Sequence, residues 1–163
     1  MTDPFAVLGL EPSMDLPRDE LEQRYLEASR ETHPDRAAAS ADETATLRRS
    51  AEVNDAYRAL RDPWRRAEVI IAKADPSALD RKKDLCPVFL MEAMELAERV
   101  ADAEPSEFSK LRQSIESRRD SYLQRLRSAL AENRIDDAAV LLHESRYCRK
   151  ALRDLEEREH PIG

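Results

Sequence analysis

The chain has 163 residues, with only 2 Gly against 37% charged residues, a composition that excludes a sheet fold dependent on tight turns and points to an all-α protein. Its formal net charge of −7 divides into −5 over residues 1–75 (11 basic, 16 acidic) and −2 over the rest (16 basic, 18 acidic). Neither half is a basic body suited to phosphate neutralisation, so nucleic acid is not an expected partner. Two cysteines, Cys86 and Cys148, lie far apart with no CxxC, which fits a reducing compartment better than a disulfide framework. The opening MTDPFAVLGL has neither a basic n-region with a long apolar stretch nor an Arg-rich amphipathic character, and no run approaches a membrane span. The expectation is a cytoplasmic protein without a membrane partner, built as one compact domain or two small ones.

In chain order, DPFAVLGL predicts a short helical turn, with Asp3 as its cap, Pro4 at the first helical position and Gly9 at its end. Residues 18–32 predict a second helix, because Leu21, Tyr25, Ala28 and Thr32 recur at the spacing of one helical face. Pro34 stops it, so HPDRAAASAD is a polar loop. A third helix runs from about Asp42 to Arg61, with Leu47, Val53, Tyr57 and Leu60 inward, and should pair with the second as a hairpin. Asp62-Pro63 starts a fourth helical segment, WRRAEVIIAKA. The polar stretch DPSALDRKKD at 75–84 is a linker or boundary, and beyond it lie three more helices at about 86–103, 105–132 and 135–159. Their inward stripes are Phe89, Ala93, Leu96, Val100 and Ala103, then Phe108, Leu111, Ile115, Tyr122 and Leu126. The last helix turns Ala138, Leu141, Ser145, Cys148, Leu152 and Leu155 inward. Short connections favour antiparallel neighbours, hence a three-helix bundle.

A lone His33-Pro34-Asp35 is compatible with a plain helix stop, the imidazole satisfying terminal carbonyls. Here it sits between two amphipathic helices, and the second of these ends in VNDAYRALRDP. The order FAVLGL, helix, HPD loop, AYRALRDP resembles a DnaJ-type J domain over residues 3 to about 73. Two segments further along the chain narrow the likeness: WRRAEVIIA is similar to the segment leading out of the J domain in HscB proteins, and FLMEAMELAE at 89–98 resembles the motif that opens their C-terminal domain. Generic J proteins have neither. The resemblance implies a J domain at 1–74, a linker at 75–84 and a client-binding three-helix domain at 85–163. It also implies that His33, Pro34 and Asp35, with Arg24 and Arg30, dock on a DnaK/HscA-type chaperone ATPase and promote its hydrolysis. The implied client is an IscU-type iron–sulfur scaffold held on the second domain. Two departures stand out: Thr32 replaces the aromatic residue usual before the HPD, and Glu22, Glu27 and Glu31 dilute the positive face. The cysteine-rich extension of some eukaryotic relatives is absent, which suggests a bacterial-type protein.

The client surface has an argument of its own. With Phe89 at 0° and about 100° per residue, Ala93, Leu96, Val100 and Ala103 fall within about 40° of it. Leu90, Met94 and Met91 fall near 100°, 140° and 200°, facing away from that stripe, with Glu95, Glu98 and Asp102 beside them at roughly 240°, 180° and 220°. Three large apolar groups with an acidic rim mark an interaction surface, and methionines make it adaptable. Tyr147, about 100° off the stripe of its own helix, joins them, and the HscB resemblance places scaffold binding at these positions. The competing expectation is that Leu90, Met91 and Met94 pack against the fourth helix or the linker, closing the two halves into one body.

Enzyme chemistry has little to stand on. His33, His143 and His160 have no Cys or carboxylate partners at metal-ligand spacing, and the chain has no Gly-rich phosphate loop. No cofactor or metal is expected. Cys148 sits on a core stripe, which favours a buried thiol over a nucleophile, and Glu144 beside His143 is expected on a solvated face. The rival functional readings are a J-domain protein for another client and a helical adaptor in which the HPD is only a helix stop.

Overall fold

A computed structural model describes residues 2–33 and 42–161, so Pro34 and Asp35 of the HPD tripeptide lie outside the described residues. Among the described residues all regular structure is helical. The chain divides into two compact units, Met1–Ile70 and Ile71–Gly163.

The first unit begins with α1 (Pro4–Val7). The Asp3 carboxylate accepts from the Phe5 amide at 3.0 Å, and Gly9, at a φ of 62°, ends the turn in the left-handed conformation that glycine adopts without penalty. This cap and stop drive Phe5 fully into the core. Helix α2 (Arg18–Glu31) closes on Thr32, whose amide and hydroxyl both donate to the Ala28 carbonyl, at 3.1 and 3.0 Å. Thr32 is buried. The hydroxyl that stands in place of an aromatic residue therefore satisfies a terminal carbonyl of its own helix.

Helix α3 (Glu43–Arg61) is capped by Asp42, which accepts from the Ala45 amide at 3.0 Å. It packs on both α1 and α2, and Phe5, Leu8, Leu10, Leu21, Val53, Ala56 and Leu60 form the core. Tyr25 of α2 stacks on Tyr57 of α3 with ring centroids 4.3 Å apart, and its hydroxyl donates to Asn54 Oδ1 at 2.9 Å. Leu47 does not join this core: it is 56% exposed. Six residues before Val53, it lies about 120° round the helix, so its inward assignment fails on spacing.

Helix α4 (Pro63–Ala74) starts where Asp62 accepts from the Trp64 amide at 2.9 Å. Its Arg66 is buried, donating from Nε to the Leu60 carbonyl and from Nη1 to the Met14 carbonyl, both at 2.8 Å. One guanidinium thus holds the loop around Met14 against the end of α3, using the fork geometry that a lysine lacks.

In the second unit the polar stretch after residue 75 contains a short helix, α5 (Ala78–Arg81), absent from the sequence expectation because four residues are too few to show a period. It packs on the long last helix, α8 (Ile135–Glu159), as do α6 (Pro87–Asp102) and α7 (Phe108–Ala131). A 3-10 turn, Pro105–Glu107, leads into α7, and Asn133 at a φ of 55° separates α7 from α8. The predicted stripes are buried except at two positions: Phe89 and Leu152 are half-buried. Phe89 sits in the first turn of α6, where the stripe runs out. The bundle is closed at the far end of α8, where Arg158 Nη1 donates to the Val100 carbonyl at 2.5 Å, its guanidinium lies 5.1 Å from the Phe108 ring centroid, and Arg112 pairs with Glu159. Contacts Phe89–Tyr147 and Val100–Arg158 show α6 and α8 running the same way, with α7 opposed to both: Cys148 of α8 donates to the Ile115 carbonyl of α7 at 3.3 Å.

Candidate functional site

In the first unit the residues of interest lie on α2 and just beyond it. His33 is exposed just past the end of α2, and Arg30 and Leu26, which precede it by three and seven residues, are exposed on the helix. Arg24 is elsewhere: it lies about 120° round the helix from Arg30 and pairs with Glu27 at 3.7 Å. Arg18 pairs with Glu22 at 2.9 Å. Arg30, in the last turn of α2, and Arg24 thus lie on different faces of the helix.

The second group lies at the start of α6. Met91 and Met94 are 63% and 65% exposed, Leu90 is half-buried, and Tyr147 reaches the same place from α8 with 43% of its surface in water. The two methionines are thus mostly in water, whereas Leu90 is not. Tyr147 is held by Phe89, whose ring meets it edge-on at 5.6 Å and 82°, a favoured aromatic geometry. Phe89 is thus half core and half site. Val88, 62% exposed, extends the apolar surface on the Met91 side. Sequence reasoning missed both, although Val88 stands one helical turn before Met91, where an i, i+3 search finds it.

Glu95, Glu98 and Asp102 are exposed, but they do more than rim the apolar group. With Arg99 they form one wall of a cleft of about 870 Å³, whose other wall is the 3-10 turn and the start of α7, with Glu107, Lys110 and Ser114. The local arrangement is an apolar cluster continuing into an acidic groove.

No group of three or more potential metal ligands occurs among the described residues. His143 bonds through Nε2 to the Leu79 carbonyl at 2.7 Å, tying α5 to α8. Cys148 is buried, and burial pushes its thiol pKa up, away from the nucleophilic thiolate. Glu144 is not on a solvated face as expected: it is half-buried and hydrogen-bonds Tyr122, whose hydroxyl is pushed up to about 12 by burial first and by Glu144 second. The Arg81 side chain bridges Asp75 at 2.7 Å and Asp136 at 2.5 Å, holding both carboxyls below their usual range.

Comparison with known proteins gives two family matches: the DnaJ domain over residues 3–69, and the HSCB C-terminal oligomerisation domain over residues 86–156. The co-chaperone protein HscB homolog of Bordetella pertussis is 32% identical across 94% of this chain and 94% of that relative. That of Aeromonas hydrophila is 30% identical across 97% and 96%. Among solved structures, the chaperone HscB from Vibrio cholerae superposes with a TM-score of 0.80 at 24% identity, over 97% of this chain and 98% of that one. Human co-chaperone HscB reaches 0.84 at 22% identity, over 99% and 84%. At these identities the two structures speak for the fold alone.

Proposed function

The chain belongs to the HscB family of J-domain co-chaperones, and we propose that it delivers an IscU-type iron–sulfur scaffold to a DnaK/HscA-class chaperone whose ATPase it stimulates. The observation that carries the scaffold half is the group of Met91, Met94 and Tyr147 left to water, with Leu90 half-buried beside them, on two helices that otherwise bury their apolar stripes. Large flexible side chains of this kind gain by being covered and adapt to a partner's contour. Glu95, Glu98 and Asp102 beside them orient the scaffold through positive charge on its side and disfavour acidic competitors.

On the chaperone half, His33, Pro34 and Asp35, with Arg30 in the last turn of α2, dock on the ATP-bound partner. Arg24 serves the same docking from a neighbouring face. The protein itself breaks no covalent bond; hydrolysis occurs in the partner. Having both sites in one chain raises the effective concentration of scaffold at the chaperone, so two modest affinities suffice. Modest affinity suits a protein that must release its client.

Changing Leu90, Met91, Met94 and Tyr147 together to alanine tests the scaffold half. Scaffold binding should weaken at least about 30-fold, because such central apolar residues dominate interfaces. The melting temperature should fall little, since Met91 and Met94 are mostly in water and Tyr147 is 43% exposed. Undiminished binding of the IscU-type scaffold, or a collapse of the fold, would remove these residues from the binding surface.

A further inference from the structure

Leu26 is the one apolar residue among the exposed positions of α2, with 52% of its surface in water. It lies seven residues before His33, which directly follows the helix-ending Thr32, and Arg30 stands between them in the last turn. A second leucine reaches the same end of the hairpin from α3. Asn54 accepts the Tyr25 hydroxyl hydrogen bond and so fixes the level of the two helices. Leu47 lies seven residues before Asn54, and Thr32 seven after Tyr25. In this antiparallel pair Leu47, 56% exposed, therefore stands level with Thr32 and His33.

The charge on α2 runs against docking by positive charge alone. Three arginines face five carboxylates along Arg18–Glu31, a net of −2. Two of the three, Arg18 and Arg24, lean on Glu22 and Glu27. Leu47 adds nothing to the core, and Leu26 lies about 140° from the buried Leu21 on α2. Neither leucine is explained by folding.

We propose that Leu26 and Leu47 form an apolar contact flanking His33, through which this J domain grips the DnaK/HscA-class chaperone, and that this contact carries docking that its depleted basic face does not. The inference rests on the J-domain docking proposed above and adds the chemistry of the chaperone's complementary surface, which is apolar at these two points. Apolar contact is insensitive to screening, so docking should tolerate salt, unlike recognition by exposed charge.

The test uses the full-length protein and the ATP-bound DnaK/HscA-class chaperone of the same organism, with ATPase stimulation followed against co-chaperone concentration at about 0.05 and about 0.5 M salt, between which the Debye length shrinks roughly threefold. The wild type should keep its half-saturating concentration within about threefold across this range. The Leu26→Ser, Leu47→Ser double variant should need at least about tenfold more protein at either salt, with maximal stimulation and melting temperature unchanged. Wild-type half-saturation in the double variant would overturn the inference, as would a wild-type half-saturation rising tenfold or more with salt, which assigns docking to charge. A lowered melting temperature would overturn it too, by placing the leucines in the fold. Absence of any stimulation by the wild type would instead overturn the J-domain docking itself.

Discussion

Arg66→Met removes the buried fork that joins the Met14 carbonyl to the Leu60 carbonyl while keeping a side chain of similar length. Each of the two 2.8 Å bonds comes from a charged donor to a backbone oxygen, a class worth about 1.5–3 kcal/mol apiece. The methionine recovers part of this through apolar packing, which leaves a net cost of roughly 2–5 kcal/mol for two carbonyls stripped of their donor. A unit of this size has roughly 4–10 kcal/mol of stability at about 0.05–0.15 kcal/mol per residue, so the loss is a large fraction of the whole. Trp64, the only tryptophan, lies two residues away, half-buried in the same unit, and its fluorescence during urea titration reports this unit selectively. Arg66→Lys should recover only part of the loss, since one ammonium cannot reproduce a fork. An Arg66→Met variant within about 1 kcal/mol of wild type by the Trp64 signal would refute the clamp.

Two titrations bear on the second unit. The Tyr122 hydroxyl is raised to about 12 in the folded chain, so its contribution is fully present below the unfolded value of about 10 and is lost as pH climbs through about 12; Tyr122→Phe should flatten the alkaline stability profile of the unit in that window, and an unchanged slope would contradict the assignment. Asp75 is held near 2 by Arg81 first and Ser77 second, against an ordinary value of 3.8. Its contribution is present above about 4 and lost as pH falls through about 2, so Arg81→Met should make acid unfolding less steep between those values, as read by far-UV circular dichroism.

Much of the fold was legible because prolines and capping residues punctuate this chain. Asp3 and Gly9 bound α1 as their chemistry requires, Asp42 caps α3, and the last helix spans Ile135–Glu159 as the apolar stripe predicts. The features that were not legible depended on tertiary context. Arg66 sits in a WRR run that resembles a solvated face, and only the position of the Met14 carbonyl turns it inward. Leu47 was drawn inward by hydrophobicity alone, against its angular position. Helix α5 is too short to show a period, and its place is set by Arg81 and by the His143 bond to Leu79. At the start of α6, periodicity found Met91 and Met94 turned to water, while Leu90, expected with them, is half-buried. It could not find Phe89, whose half-buried role comes from the edge-on contact with Tyr147 across two helices. Arg24 and Arg30 were paired by their distance from His33 along the chain, whereas helical angle separates them.

The central claim is that one chain couples a scaffold to a chaperone's ATPase through His33-Pro34-Asp35. It is tested most directly by single-turnover ATP hydrolysis in the DnaK/HscA-class chaperone, measured with the wild-type protein and with Asp35→Asn, each with and without the IscU-type scaffold. Stimulation by the wild type is expected, with a further increase when scaffold is present, and loss of both with Asp35→Asn at unchanged helicity. Equal stimulation by Asp35→Asn would reduce the tripeptide to a helix stop, and stimulation indifferent to scaffold would contradict the coupling.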